Sequence, residues 1–143
     1  MSCRKLLVTN NPVLCAAVSS CEFVDGNSLS VLIRVRDLVH RGWTLLSHPL
    51  YGNLRPYQHP YRSVLAELEG EGSGLPVDLQ SLEYIESAIG IYSSEKERIP
   101  SDRDMPEDVK KDFAYIDGEL MKETLSRYGM LPRDWMMESA ERR

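Results

Sequence analysis

The side chains able to do chemistry in this chain collect in one stretch, Gly42 to Ser63, reading GWTLLSHPLYGNLRPYQHPYRS. The fourteen residues from Pro49 to Arg62 hold three prolines, three tyrosines, two arginines and one histidine, with His48 just before them. Arg55 and Arg62 are the natural grip for a carboxylate or phosphate, because a guanidinium offers such groups a planar fork of donors. His48 is the candidate general acid/base, since imidazole titrates near neutrality. Its competing role is a ring hydrogen-bonded to backbone at a strand end. Ser47 and Tyr61 add hydroxyls. Ser47 or Ser63 as a nucleophile would need a base and an orienting third group, and G-x-S-x-G is missing. No Asp or Glu occurs between Val39 and Ala66, so His48 and His59 have no carboxylate beside them and no metal is expected.

A second group precedes this stretch. Asn10 and Asn11 follow the apolar run Lys5 to Thr9 and lead into Pro12. Asn is a favoured N-cap and Pro suits the first helical position, so helix capping is the plain role. The functional role is anion holding by exposed amides at a helix N-terminus. The chain contains neither G-x-G-x-x-G nor G-x-x-x-x-G-K-[ST], so no nucleotide or other cofactor is expected. The anion-binding set read from sequence is therefore Asn10, Asn11, Ser47, His48, Arg55, Tyr61 and Arg62.

The elements that must position these residues follow from period and punctuation. Lys5 to Thr9 reads as a strand, then a short helix from Pro12 to about Val18, then a strand from Cys21 to Val24 ended by Asp25-Gly26. Asn27-Ser28 caps a helix from about Leu29 to Arg41, whose wide apolar stripe suits packing on a sheet. Gly42 is its C′ residue. Trp43 to Leu46 is a third strand, followed by the long loop, and Ser63 to Leu68 is a fourth strand candidate, with a helix turn as the alternative. Asp78 caps a helix to about Tyr92. Glu95 to Met105 reads as a linker before a last helix, Pro106 to Tyr128, with Val109, Phe113, Ile116, Leu120, Met121, Leu125 and Tyr128 as its stripe. Trp135-Met136-Met137 in the tail is either a docking patch or a return to the core.

This order predicts an α/β fold: a small, mostly parallel, Rossmann-like sheet of about four strands, helices on both faces, plus a C-terminal helix. One domain spans 1–143, with its core at about 4–92 and a helical extension at about 105–143. With the first strand beside the third, a topological switch point would bring Asn10-Asn11 and Ser47-His48 to one crevice.

Composition narrows the partners. The net charge of −5 divides into +4 up to Ser63 and −9 after it. An acidic chain with one local basic patch fits a small anionic ligand and not nucleic acid, which wants a broad positive face. No apolar run approaches the roughly 18 residues of a membrane span. Three cysteines, Cys3, Cys15 and Cys21, show no C-x-x-C spacing and read as reduced, partly buried thiols in the cytoplasm.

Three blocks also carry a family likeness: TNNP after the first strand, VRDLVHRGWTLLSHPLYGNLRPYQHPYRSVL across the centre, and the helix DLQSLEYIESAI. Together, from Leu6 to Tyr92, they resemble the GrdX-like proteins, small proteins encoded alongside the glycine, sarcosine and betaine reductase systems of amino-acid-fermenting anaerobes. The chain departs from that pattern at Tyr51-Gly52-Asn53, where the family has a Gly-Ser-type turn, and at Arg55-Pro56, where it has Lys-Pro. The resemblance implies a reductase-associated cytoplasmic protein and brings no catalytic residues with it. The expectation is an accessory protein that binds a small anionic metabolite, with a reductase-complex protein as a partner and a homodimer as one assembly open to it. The alternatives are a small enzyme using His48, or a protein-interaction module.

Overall fold

The computed structural model describes residues 3–52, 55–70 and 76–132. Four strands form one sheet: β1 (Cys3–Thr9), β2 (Cys21–Phe23), β3 (Thr44–Leu45) and β4 (Ser63–Glu69), in the order β2-β1-β4-β3. The helices are α1 (Pro12–Ala17), α2 (Ser28–His40), α3 (Leu79–Ser94) and α4 (Glu107–Arg127), with short 3₁₀ turns at Lys96–Arg98 and Asp102–Asp104.

The capping residues read from sequence act as caps. Asn11 Oδ1 accepts from the Val13 and Leu14 amides, Asn27 Oδ1 from Ser30, and Asp78 Oδ2 from Ser81, each satisfying a donor that the first helical turn leaves open. Gly42, with φ 102°, takes the left-handed position that ends α2.

Strand residues alternate between two faces, as a period of two requires. Val8, Val64, Ala66 and Leu68 point to the side covered by α2 and α3, where Leu32, Val35, Ile85 and Tyr92 complete the core. Leu7 and Leu65 point to the other side and pack with Leu14 of α1 and Met121 and Leu125 of α4. Helices thus cover both faces.

The sheet is not mostly parallel. Only β1 and β2 run parallel; β4 is antiparallel to both β1 and β3. The cause lies in the connections. A parallel neighbour needs a crossover, usually a helix, and α1 supplies one between β1 and β2. Between β3 and β4 the described residues form no helix or strand, so the chain turns back and enters beside β3. It inserts β4 between β1 and β3, and no crevice forms between those two strands. Their shared antiparallel partner still makes β1 and β3 parallel to each other, so Asn10-Asn11 and Ser47-His48 leave the sheet at the same end.

Two further expectations change. Cys15 and Cys21 are joined as a disulfide, not held as thiols, because the tight return from α1 to β2 sets their Cα atoms 5.6 Å apart. Cys3 is the free thiol. In α4 the buried residues are Ala114, Asp117, Gly118, Met121 and Leu125, whereas Ile116 is 44% exposed. Only part of the expected stripe faces inward. The tail with Trp135, Met136 and Met137 lies outside the described residues. Among the described residues no helix is long and apolar enough to cross a membrane.

Candidate functional site

Where β1 ends and β4 begins, the sheet carries a run of polar side chains that α4 covers. Thr9 pairs with Ser63 across the two strands, and their hydroxyls are 2.7 Å apart. Ser63 Oγ donates to Asp117 Oδ2 at 2.7 Å. Asn11 Nδ2 donates to the same oxygen at 2.9 Å and to the Ala114 carbonyl at 3.1 Å. The Asn11 amide donates back to Thr9 Oγ1 at 3.0 Å. Because Ser63 spends its proton on Asp117 and Thr9 accepts from Asn11, Thr9 is the donor in its contact with Ser63. The ring of bonds closes on itself. All four side chains are buried. Burial pushes the Asp117 carboxyl up from its ordinary value, against the hydrogen bonds from Asn11 and Ser63 and the positive charge of Arg62.

Asn10 works beside this ring. Its Nδ2 donates to the Pro60 and Gly26 carbonyls, and its Oδ1 accepts from the Arg62 amide at 2.8 Å. Both asparagines are thus buried connectors between β1, the loop and α4. Neither amide is exposed.

The long loop divides into an outer and an inner part. His48 and Arg55 belong to the outer part and are exposed. His48 Nδ1 accepts from the Leu50 amide, and the ring lies tilted on Tyr84 of α3 at 5.0 Å. Arg55 Nη1 reaches the Tyr57 hydroxyl at 3.4 Å, while the Arg98 guanidinium lies 4.0 Å over the Tyr57 ring. Ser47 is buried, and its Oγ accepts from the Leu65 amide at 2.9 Å, extending the β3–β4 ladder by one side chain.

The inner part runs from His59 to Arg62. Tyr61 donates its hydroxyl to Asp102 Oδ2 at 3.0 Å, and burial, then that contact, raises the phenol pKa strongly. Arg62 is 4% exposed. Its Nη1 donates to the Tyr51 carbonyl at 2.7 Å and its Nη2 to the Tyr92 hydroxyl at 2.6 Å. Both acceptors are neutral. His59 is 2% exposed and packs edge-on against Phe113 of α4 at 4.9 Å. Burial, then the charge of Arg62, lowers its pKa to about 4, so the ring is neutral at pH 7.

Two buried nitrogens of this inner part, His59 Nε2 and Arg62 Nε, have no hydrogen-bond partner among the described residues. The Phe113 backbone lies near His59 and favours the protonated ring, which offsets part of the effect of burial. Since His59 Nδ1 accepts from the Tyr61 amide at 3.1 Å, the proton of the neutral ring sits on Nε2. Both orphan atoms are therefore donors. They call for an acceptor.

The structure thus brings Asn10, Asn11 and Arg62 together with Thr9, Ser63 and Asp117, and leaves His48 and Arg55 on the outside. The two arginines do not form one exposed clamp. Sequence reading missed Asp117 and gave His59 no role beyond a weak metal pairing. A signal for Asp117 was present: Ala114, Asp117, Met121 and Leu125 share one helical face, and a carboxylate on such a face needs partners. Among the described residues no three His, Cys, Asp or Glu side chains cluster as a metal site would require.

The molecule is a mixed α/β protein with a four-stranded sheet, a C-terminal helix and a polar cluster under that helix. The chain belongs to the GrdX-like protein family, whose pattern it matches over residues 6–126. The match continues through most of α4, beyond the Tyr92 limit of the likeness seen in sequence, so the helix carrying Asp117 lies within the family region. No curated protein and no solved structure matches the chain.

Proposed function

We propose that this protein is a cytoplasmic accessory protein of glycine, sarcosine and betaine reductase metabolism that holds a small anion through Arg62 and His59. Membership of the GrdX-like family supports the metabolic setting. The carrying observation is the pair of orphan donors, Arg62 Nε and His59 Nε2, buried at the base of a proline-stiffened loop. Among the described residues the buried guanidinium donates only to neutral oxygens, with Asp117 acting on it through charge alone, and an anion at Nε would add a charged acceptor. His59, neutral with its proton on Nε2, would donate a second bond without adding charge. Asn10 holds the Arg62 backbone and Tyr51 and Tyr92 fix the guanidinium, so the fork is preset. The exposed His48, braced on Tyr84 and apart from this cluster's hydrogen bonds, favours a binding role over acid/base catalysis.

The test is calorimetric titration of acetate, glycine and inorganic phosphate into wild type, Arg62→Lys, His59→Gln and Arg55→Ala. Wild type should bind at least one of them tighter than millimolar. A charge-assisted hydrogen bond is worth about 1.5 to 3 kcal/mol, so Arg62→Lys should weaken binding roughly ten- to hundred-fold. Arg55→Ala should change it little. Binding weaker than millimolar in wild type, or equal binding by Arg62→Lys, would remove the anion site and leave the loop as a protein-docking surface.

A further inference from the structure

The disulfide has no part in the reading above, yet its place in the fold is unusual. Cys15 lies in the last turn of α1 and Cys21 is the first residue of β2, a separation of six residues. Both are half-buried, and Ala16, Ser19 and Ser20 around them are exposed, so a partner thiol has access. Cys21 packs at the rim of the core that α1 shares with α4, while Cys15 sits on a helix of six residues in which Leu14 is the only buried residue. A helix that short does not hold together alone. Its first turn is anchored by the Asn11 cap and by the bonds from Asn11 to α4. Its last turn is anchored by the disulfide and by backbone bonds from Val18 to Leu14 and from Ser19 to Met130, just past α4.

We propose that the Cys15–Cys21 pair is a thiol–disulfide exchange site, opened by a dithiol partner, and that opening it frees the last turn of α1. The partner's thiolate attacks one sulfur, the S–S bond breaks, and the other sulfur leaves as a thiolate that takes up a proton. The partner's second thiol, as thiolate, then attacks the mixed disulfide and releases the remaining cysteine as a thiol. The partner is oxidised to a disulfide, Cys15 and Cys21 are reduced, and the two protons of the dithiol end on them. Cys3 is not the resolving thiol. It begins β1, whose register sets Leu7, four residues further on, beside Cys21, and its own thiol is hydrogen-bonded to Glu67. Chain connectivity therefore gives the site two states, a stapled α1 and an α1 whose last turn is held only by the Val18 and Ser19 backbone bonds and the burial of Val18.

The experiment incubates the native protein with reduced and oxidised glutathione at graded ratios and with dithiothreitol, then alkylates and counts blocked thiols by mass spectrometry. Amide hydrogen exchange is read on the same samples. Native protein should gain two alkyl groups, on Cys15 and Cys21, with no denaturant present. The amides of Val18 and Ser19 should exchange at least ten-fold faster in the reduced form, while those of Val13 and Leu14 change little. The double variant Cys15→Ser/Cys21→Ser should show the reduced pattern without any reductant. A disulfide that opens only after unfolding would overturn the exchange site, and unchanged Val18 and Ser19 exchange after reduction would overturn its coupling to α1.

Discussion

On one face of the sheet, α2 and α3 meet the strands mainly through Val31, Leu32, Val35, Ile85 and Ile89, with the Ser81 hydroxyl accepting from the Leu45 amide beside them. On the other, α4 comes down on Thr9, Asn11 and Ser63 with a carboxylate, Asp117. The first face is non-directional: apolar area leaves water, and any close-packed arrangement of similar volume would serve. The second is directional. Each bond in the ring needs its partner at about 3 Å, and a missing partner leaves a buried polar atom unmet. A face of this second kind fixes the position of what it holds, and what it holds is the start of β4 and the base of the loop. Tyr92 joins the two regimes, since its ring belongs to the apolar core and its hydroxyl binds Arg62.

The largest expected effects compare the faces directly. Leu32→Ala should lower unfolding free energy by about 2 to 5 kcal/mol through lost transfer energy and a residual cavity. Asn11→Ala removes a cap and a donor to a buried carboxylate together, for about 2 to 4 kcal/mol. Urea denaturation gives both numbers, and hydrogen exchange separates them. Leu32→Ala should raise exchange across the whole core, whereas Asn11→Ala should raise it first in α1 and near Ala114.

Acid should act on the polar side alone, and in two opposing ways. The pKa of His59 is lowered from 6.5 to about 4 on folding, so the unfolded chain takes up that proton first. Its contribution is complete above pH 6.5 and is lost as pH falls toward 4, a change of up to about 3 kcal/mol. Asp117 runs the other way. Its folded pKa is raised, so the native state protonates first and gains relative stability as pH falls. His59→Gln should flatten the stability profile between pH 6.5 and 4, and Asp117→Asn should steepen it, both measured by urea midpoints across pH. Identical profiles for wild type and His59→Gln would show that the histidine is not buried neutral.

The same division explains what could be read in advance. Asn11, Asn27 and Asp78 were legible as caps because each precedes an apolar run with helical period, a local rule. Strand direction was not legible between β3 and β4, because no helix marks the crossover and a loop permits either return. Arg55 and Arg62 look alike in sequence, seven residues apart in one loop. Their fates differ because Arg62 adjoins β4 and so falls between Tyr51 and Tyr92, a long-range fact. Asp117 reads as one more charge on an acidic helix until Ser63 and Asn11, more than fifty residues away, are placed beneath it.

Smaller in effect is Tyr92→Phe, which keeps the ring in the apolar core and deletes the acceptor for Arg62 Nη2. It should cost about 1 to 3 kcal/mol in stability, because a buried charged donor is left unmet. The calorimetric titration adds a second readout. With the guanidinium less firmly held, anion affinity should fall several-fold while amide exchange of α3 stays unchanged. An affinity equal to wild type would mean that Tyr92 serves the apolar face only.

The smallest expected effect lies where the loop touches α4. Gly52 has φ +91°, a conformation side chains rarely adopt, and a Cβ there would stand 2.8 Å from Leu120 Cδ1. Two costs follow for Gly52→Ala, and they can be separated. The backbone cost, about 1 to 2 kcal/mol for a left-handed residue with a Cβ, is fixed by φ and cannot be relieved by a neighbour. The contact cost depends on whether Leu120 turns aside, and its methyl is the end of a flexible side chain on a half-buried residue. A cycle of Gly52→Ala, Leu120→Ala and the double variant isolates the second part, because truncating Leu120 removes the clash and leaves the backbone term. Gly52→Ala alone should destabilise by about 1 to 2 kcal/mol, and the cycle should show a coupling of roughly 0.5 kcal/mol or more. Additive effects would mean that Leu120 moves freely and only φ matters. A neutral Gly52→Ala would mean that the loop can leave α4 at no cost, and that only the inner residues His59 to Arg62 are held by the polar face.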